Sequence, residues 1–160
     1  MAELHIAFPV INQGMYTMQA IDSIKTKHSY RVLVVDQESS DETGKWCESQ
    51  HIDCFRKSPK VALSAAWNFA IQEAFKDAEC KYVLIANNDI LFNPVTIDNL
   101  VDAMDKTGYA MVTASNVAVS CSPPQAIYSW EIANDPEFDF KPITNWREEG
   151  PDFSCFLITR

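Results

Sequence analysis

The sequence contains few glycines and no glycine-rich motif. Only four of the 160 residues are glycine, and neither a GxGxxG pattern nor a P-loop pattern is present. Those patterns hold phosphates with backbone N–H groups in dinucleotide-binding domains and in Walker-type ATPases. Their absence disfavours both classes. A phosphate ligand would need another device, such as a metal ion, a few placed cations or backbone N–H groups elsewhere.

Basic residues are also scarce. The chain has 13 lysines and arginines against 22 aspartates and glutamates, which gives a formal net charge of −9. Nonspecific binding to nucleic acid depends on clustered lysine and arginine side chains. The composition therefore predicts that the protein does not bind nucleic acid nonspecifically.

The five cysteines are scattered without CxxC spacing, and the chain lacks a long apolar run. Such spacing disfavours a zinc site, and an odd, scattered set of cysteines is typical of reduced intracellular proteins. No stretch reaches the roughly 18 apolar residues of a membrane span, and the first residues lack the features of a signal peptide. We therefore expect a cytoplasmic protein without a transmembrane segment. The cysteines are Cys47, Cys54, Cys80, Cys121 and Cys155.

The first 115 residues or so show an alternation of strand and helix patterns. Short apolar runs predict the strands, and apolar residues at helical spacing predict the helices. Such alternation predicts an α/β fold with a mostly parallel central sheet and helices on both faces. The predicted strands are 4–11, 30–35, 52–56, 81–86, 109–114 and 153–159, and the predicted helices are 15–26, 40–50, 62–77 and one that begins at 93–94.

Local signals refine three of these helices. Ser39 followed by Glu42 fits a capping box at the start of the second helix. Asn93 followed by Pro94 fits an N-cap with proline at the first helical position. In the third helix, the spacing of apolar residues predicts the buried face, which consists of Leu63, Trp67, Ala70, Ile71 and Ala74.

Polar residues follow the ends of the first four predicted strands. The carboxyl ends of parallel strands meet at one edge, and ligands of open α/β sheets bind there. Mg²⁺ and Mn²⁺ take oxygen ligands from one or two carboxylates and from substrate phosphates, so a strand that ends in Asn-Asn-Asp predicts a site for a metal-bound diphosphate. An alternative interpretation is an ordinary polar turn. The strand-end residues are Asn12, Asp36, Lys57, Ser58, Lys60, Asn87, Asn88 and Asp89.

Two of the candidate residues have structural alternatives of their own. Asp36 is an acceptor for a base N–H or a ribose hydroxyl, but aspartate is also common just before a helix. Asn68, on the third predicted helix, is a candidate for the same edge, or it braces a loop. The residues alone leave both choices open.

Four segments together resemble the successive motifs of family 2 GT-A glycosyltransferases, and the last resembles the Asn-Asn-Asp form found in the rhamnosyltransferase-like branch. The family forms are a Pro-Val-Tyr-Asn strand end, a Val-Val-Asp-Asn-Gly-Ser-Ser-Asp-Gly-Thr segment, an Ala-x-Asn-x-Gly-Ile helix and a DxD-type metal motif. They occur here in the same order across about the first 115 residues. The matching segments are 8–12, 34–43, 66–71 and 85–89.

The resemblance implies a GT-A fold of the nucleotide-diphospho-sugar transferase type, with a donor of the UDP, GDP or dTDP type. It implies that Pro9 and Ile11 frame the base, that Asp36 binds the base or ribose, and that Asn88 lies near the ribose. Asp89, next to Asn87, would bind Mn²⁺ or Mg²⁺. The implied activity is inverting transfer of a sugar to a hydroxyl acceptor.

The sequence departs from the family pattern at three places. Asn87 replaces the first aspartate of the metal motif, so metal binding depends largely on one carboxylate. Ala62 stands where some relatives carry an arginine that binds the diphosphate, and Lys60 is a candidate to compensate. Segment 154–160 also resembles the family strand that follows the acceptor loops, and the usual catalytic base lies beyond that strand, past Arg160. Glu149 and Asp152 are the base candidates here, and the alternative is a solvated acidic loop.

These observations lead to one expected domain over residues 1–160. Residues 4–115 would form the nucleotide-binding part, and residues 116–160 an irregular acceptor-side part, and a truncated chain is one of the open interpretations. Two other functions stay open: a non-catalytic module that binds a nucleotide or a protein on the same fold, and a nucleotidyltransferase. The missing family base and Asn87 favour the first of these alternatives.

Overall fold

Strands and helices alternate through the first two thirds of the chain, as the sequence predicts. The computed structural model describes residues 2–114 and 153–160, together with the backbone of two short strands between them. The strands are β1 (Leu4–Val10), β2 (Tyr30–Asp36), β3 (Asp53–Arg56), β4 (Tyr82–Ala86), β5 (Met111–Thr113), β6 (Val119–Ser120), β7 (Ala126–Ile127) and β8 (Cys155–Thr159). The helices are α1 (Gly14–Asp22), α2 (Thr43–Ser49), α3 (Leu63–Ala74) and α4 (Thr96–Thr107).

The central sheet has six strands in the order β3-β2-β1-β4-β8-β5. β1 lies in the middle and pairs in parallel with both β2 and β4, and β2 pairs in parallel with β3. β8 runs antiparallel between β4 and β5. The prediction of a mostly parallel sheet is confirmed, and the one antiparallel strand of this sheet comes from the last residues of the chain. β6 and β7 form a separate antiparallel pair.

Helices cover both faces of the sheet. On one face, alternate residues of β1 pack with residues of α1, α2 and α4 in the larger hydrophobic core. On the other face, Ala66, Ala70 and Ala74 of α3 pack against β1, β2 and β4. Each large apolar side chain that is fully buried in these cores stabilises the folded state by about 1.5–3 kcal/mol relative to an exposed side chain. The two cores fix the sheet and therefore the positions of its strand ends.

The buried face of α3 differs from the predicted one at its first residue. Leu63 is 51% exposed, whereas Ala66, Ala70 and Ala74 are buried. The small alanines let the helix backbone approach the sheet closely, and Leu63 begins the helix at the end where the strands stop. Trp67 is partly buried and contacts the rings of Phe153 and Phe156.

The predicted capping box at the start of α2 is wrong. The helix begins at Thr43, and Glu42 makes no side-chain cap. Ser39 Oγ instead accepts a hydrogen bond of 2.8 Å from the Asn12 N–H, so a bond between two loops has replaced the local one. Asp41 Oδ1 accepts the Thr43 N–H at 3.1 Å and serves the start of the helix.

The other helix boundaries differ from the predictions by a few residues. α4 begins at Thr96, and Asn93 Oδ1 accepts the Val95 N–H in the turn that precedes it. α1 ends at Asp22, where Ser23 donates its hydroxyl to the Ala20 carbonyl. None of the helices within residues 2–114 is long and apolar enough to span a membrane.

Candidate functional site

The carboxyl ends of β1, β2, β3 and β4 lie at one edge of the sheet, because these four strands are parallel. We call this edge, with the residues that follow each strand (11–13, 37–42, 57–62 and 87–93), the carboxyl edge. β2 and β4 flank β1, so their ends are about 10 Å apart. The topology therefore brings Asp36 and Asp89 to the same edge.

Asp36 is buried at the end of β2, with 1% of its surface exposed. Its Oδ1 accepts the Ser39 N–H at 2.8 Å, and its Oδ2 accepts a hydrogen bond from Arg56 Nη1 at 2.7 Å. Arg56 Nη2 also donates to the Ser39 carbonyl at 3.0 Å. Each carboxylate oxygen of Asp36 thus already has a protein donor.

Asn12 joins the loop after β1 to the loop after β2. Its Oδ1 accepts the Ser40 N–H at 2.8 Å, and its own N–H donates to Ser39 Oγ at 2.8 Å. Asn12 and Gln13 have left-handed backbone conformations, with φ of 56° and 60°. Left-handed φ is uncommon for a residue other than glycine, and asparagine tolerates it better than most.

Gly14 and Asp41 hold the starts of α1 and α2 together. The Gly14 N–H donates to Asp41 Oδ2 at 3.0 Å, and a Cβ atom at Gly14 would lie 2.9 Å from Thr43 Oγ1. Burial opposes the ionisation of Asp41, but hydrogen bonds from Thr43 and Gly14 outweigh it and lower the pKa of Asp41. A glycine here permits the close approach of the two helix starts.

The loops after β2 and β3 are also cross-linked. Gln37 Oε1 accepts the Val61 N–H at 3.0 Å, and Ser58 donates its hydroxyl to Glu38 Oε1 at 2.8 Å. Gln37 Nε2 is buried and has no hydrogen-bond partner among the residues that the structure describes. The carboxyl edge is therefore a set of loops that brace one another.

The Asn87-Asn88-Asp89 turn follows β4 directly. The Asn87 N–H donates to the Ser154 carbonyl at 2.8 Å, and Asn88 Nδ2 donates to Thr17 Oγ1 at 3.1 Å. Asp89 is exposed. Within residues 2–114 and 153–160, no side chain forms a hydrogen bond or salt bridge with its carboxylate.

This turn fits a divalent ion only if the ligand supplies part of the coordination. The described residues contain no group of three His, Cys, Asp or Glu side chains that could hold a metal. Mg²⁺ and Mn²⁺ sites of phosphate-transferring proteins often use one or two carboxylates with phosphate oxygens and water. Asp89 provides one exposed carboxylate and Asn87 a partly buried amide, which suits that mode of binding and not an all-protein cage.

The other predicted site residues take different positions. Pro9 is buried in β1, and Ile11, just beyond the strand, is 49% exposed. Lys60 is exposed in the loop before α3 and has no described partner, while Asn68 is exposed in the middle of α3. Glu149 and Asp152, the candidates for the catalytic base, lie outside the described residues and stay predictions.

Sequence reasoning missed Arg56, although it makes the closest side-chain contact to Asp36. The register pairs Asp36 with Arg56 at the ends of β2 and β3. Both strands were predicted to end near these residues, so their adjacency was a usable signal. A second omission was Thr17 of α1, which binds Asn88 through a contact between distant parts of the chain.

One open groove lies elsewhere, at the opposite edge of the sheet. We call that edge, where β1, β2 and β4 begin and β8 ends, the amino edge. The groove has a volume of about 470 Å³ and is separated from the predicted site by the length of the strands. Its lining includes Lys81, Tyr82, Asp105, Tyr109, Thr159 and Arg160.

The fold and the family can now be assigned. The six-stranded sheet with helices on both faces is a GT-A fold, as in the glycosyltransferase structures that resemble it. The glycosyl transferase family 2 model matches residues 6–160. The chain belongs to this family.

Solved structures with the same fold have low sequence identity to this chain. The mannosyltransferase PcManGT from Pyrobaculum calidifontis, in complex with GDP-Man and Mn²⁺, is 20% identical over 72% of this chain and 36% of its own, with a TM-score of 0.62. TarS from S. aureus is 20% identical over 74% of this chain and 39% of its own, with a TM-score of 0.57. Another TarS structure, in complex with UDP-GlcNAc, is 19% identical over 74% of this chain and 37% of its own, with a TM-score of 0.57.

This chain therefore spans less than two fifths of the length of each of these proteins. The comparison with curated proteins found no match.

Proposed function

We propose that this chain carries the donor site of a metal-dependent glycosyltransferase that moves a sugar from a nucleotide diphosphate to a hydroxyl group with inversion. The donor is of the UDP, GDP or dTDP type. Residues 4–115 form the nucleotide-binding part, and residues 116–160 belong to the acceptor side. The further proposal of a rhamnosyltransferase-like branch rests on the Asn87-Asn88-Asp89 sequence.

One observation carries the proposal: Asp89 is an exposed carboxylate without a described partner on the edge where Asp36 and Asn12 are bound to protein. Asp36 binds Arg56 and Ser39, and Asn12 binds Ser40. An exposed carboxylate beside a strand end suits a cation that arrives with an anionic ligand. Two structures of the same fold were solved with GDP-Man and Mn²⁺ and with UDP-GlcNAc, which supports the same ligand class.

In this proposal, the nucleoside lies over the ends of β1 and β2. Pro9 and Ile11 frame the base, Asp36 and Asn12 shape the base and ribose site, and Asn88 lies near the ribose. The remaining nucleotide-binding candidates are Lys60 and Asn68. Both are exposed, so each is accessible to a ligand without a rearrangement of the core.

Asp89, with Asn87 beside it, would hold Mn²⁺ or Mg²⁺ against the diphosphate. When bound, the ion supplies positive charge that stabilises the diphosphate as it leaves. The chain has a formal net charge of −9, so a local cation is needed to offset the repulsion of a diphosphate. Lys60 supplies a second positive charge at the same edge.

The transfer itself needs a base for the acceptor hydroxyl. A carboxylate removes the hydroxyl proton, the hydroxyl oxygen attacks the anomeric carbon from the side opposite the diphosphate, and the bond from that carbon to the diphosphate oxygen breaks. Glu149 and Asp152 are the proposed candidates. Exchange of the one that serves as the base for its amide should abolish transfer and leave nucleotide binding unchanged, whereas exchange of the other should leave transfer in place.

A non-catalytic nucleotide-binding module is the second candidate. Asn87, an amide in place of a carboxylate, favours it because an amide oxygen binds a hard cation less strongly than a charged oxygen does. This alternative predicts nucleotide binding without sugar transfer or hydrolysis of any donor in a panel.

Thermal unfolding with UDP, GDP and dTDP, each with and without Mn²⁺, tests the proposal. A ligand that binds only the folded state at 100 times its Kd stabilises it by about 2.7 kcal/mol. For a chain of this size, that corresponds to a rise in Tm of about 5–10 °C. We expect such a rise for at least one nucleotide, and we expect it to be larger with Mn²⁺.

Asp89→Ala should remove the Mn²⁺-dependent part of the rise. Asp22→Ala is the matched control, since Asp22 is an exposed aspartate at the end of α1. If no nucleotide raises Tm with or without Mn²⁺, the proposal is wrong. If Asp89→Ala and Asp22→Ala both behave like the wild-type protein while nucleotide still binds, the metal site lies elsewhere.

A further inference from the structure

Arg56 presents a half-exposed guanidinium at the nucleoside end of the proposed site. Its side chain is 53% exposed, whereas Asp36, directly across the strand pair, is 1% exposed. Of the two groups, a ligand that reaches this edge therefore meets the cation and not the carboxylate. This inference rests on the proposed function.

The guanidinium is held in place before any ligand arrives. Nη1 donates to Asp36 Oδ2 at 2.7 Å, and Nη2 donates to the Ser39 carbonyl at 3.0 Å. Asp36 is in turn fixed by the Ser39 N–H. Two anchors on a planar group leave little side-chain freedom to lose on binding, and each terminal nitrogen still has an N–H that these bonds do not use.

The neighbouring cation is directed elsewhere. Lys57 Nζ lies 3.0 Å from the centroid of the Phe69 ring on α3, and α3 covers the opposite face of the sheet from α1 and α2. Arg56 is therefore the cation that faces the loop after β2.

We propose that Arg56 contacts the nucleobase directly and selects bases that carry a carbonyl oxygen, with Asp36 acting through Arg56 as its anchor. A guanidinium only donates hydrogen bonds. Uracil, thymine and guanine offer carbonyl oxygens to it, whereas adenine has no carbonyl and offers on its pairing edge only one ring-nitrogen acceptor beside an amino donor. The plane of the guanidinium also offers a surface for stacking.

Calorimetric titration with UDP, GDP, ADP and inorganic pyrophosphate, all with Mn²⁺, tests this inference. The wild-type protein should bind UDP or GDP at least about tenfold more tightly than ADP, since a charge-assisted hydrogen bond is worth about 1.5–3 kcal/mol. R56Q should lose about tenfold for the preferred nucleotide, reduce its advantage over ADP, and bind pyrophosphate as the wild-type protein does. R56K keeps the charge without the planar fork and should show an intermediate loss.

R31Q is the matched control. Arg31 forms an exposed ion pair with Asp53 between the same two strands, but at the amino edge. It should bind every ligand as the wild-type protein does. Unfolding curves without ligand show whether R56Q folds. If it does not fold, the affinities of R56K and the ratio of the wild-type affinity for UDP or GDP to that for ADP decide the question.

The outcomes separate this inference from the proposed function. If R56Q and R56K keep the wild-type affinities and base preference, Arg56 is not a base contact, while the nucleotide site stands. An equal affinity of the wild-type protein for ADP, UDP and GDP would also overturn the selection by Arg56 and leave the site in place. If the wild-type protein binds none of the nucleotides, both proposals fall.

Discussion

At the amino edge, the buried side chains of His5 and Tyr82 each contact a carboxylate, whereas the carboxyl edge leaves the exposed carboxylate of Asp89 without a partner among the described residues. His5 is 2% exposed, and its Nε2 lies 3.4 Å from Asp77 Oδ2. The Tyr82 hydroxyl donates to Asp105 Oδ1 at 2.7 Å. Burial is the main cause and this hydrogen bond the second cause of the raised pKa of Tyr82, which is about 12. At the carboxyl edge, Arg56 and Asp89 remain exposed.

The backbone differs between the two edges in the same sense. Three residues of the carboxyl-edge loops, Asn12, Gln13 and Glu38, have positive φ without being glycine, whereas the amino edge has one among the described residues, His51, just before β3. Such conformations cost of order 1 kcal/mol or more and persist where the surrounding contacts determine them. The loops of the carboxyl edge are thus held in shape by cross-links, and that shape suits a site prepared for a ligand.

The largest effect should come from Asp36. Asp36→Ala removes the acceptor of the Ser39 N–H and the anchor of Arg56, and we expect a loss of about 2–3 kcal/mol in the free energy of unfolding. Asp53→Ala breaks an exposed ion pair between the same strands and should cost less than about 1 kcal/mol. Urea unfolding measures both. If the two variants lose equal free energy of unfolding, the buried Asp36 at the carboxyl edge stabilises the fold no more than the exposed Asp53 at the amino edge does.

A smaller effect should come from Asn12. Asn12→Ala loses the hydrogen bond to Ser40 and places an alanine, which tolerates positive φ less well than asparagine, at φ 56°. We expect the free energy of unfolding to fall by about 1–2 kcal/mol. Asn12→Gly loses the same bond without the backbone penalty, so it should cost less. Chemical unfolding of the pair measures the difference. If glycine is no better than alanine, the positive φ stores no strain.

The smallest effect should be the pH dependence that His5 gives to the amino edge. Burial outweighs the contact with Asp77 and lowers the pKa of His5 below 6.5. The folded state then binds the proton less readily than the unfolded state, so the stabilising contribution is present above pH 6.5 and declines as the pH falls below it.

His5→Gln should therefore lower the slope of unfolding free energy against pH between pH 7 and 5. An unchanged slope in His5→Gln would mean that the buried histidine does not contribute to the pH dependence of the amino edge.

Much of the sheet could be predicted from local sequence because parallel strands and covering helices leave periodic apolar patterns. The positions of β1, β2, β3 and β4 follow from such runs. The insertion of β8 between β4 and β5 could not be predicted in this way, since it depends on pairing between residues 43–77 positions apart.

The candidate site was predictable in its location and less so in its contacts. Strand-end polarity placed Asn12, Asp36 and Asp89 on one edge. The partners of Ser39 could not be read from a capping pattern, because a hydrogen bond to Asn12 from a distant loop replaced the local cap. The strand-end pattern pointed to Lys57 and Lys60, the cations that follow β3, and not to Arg56, which is the last residue of the strand itself.

The position of bound Mn²⁺ tests the central claim most directly. The two ends of the five-residue strand β4 are about 13 Å apart, and paramagnetic broadening of amide NMR signals falls steeply with distance. With UDP or GDP present, Mn²⁺ should broaden the signals of Asn87, Asn88 and Asp89 far more strongly than those of Gly108 and Tyr109. Stronger broadening at Gly108 and Tyr109 than at residues 87–89 would place the metal at the amino edge and contradict the account.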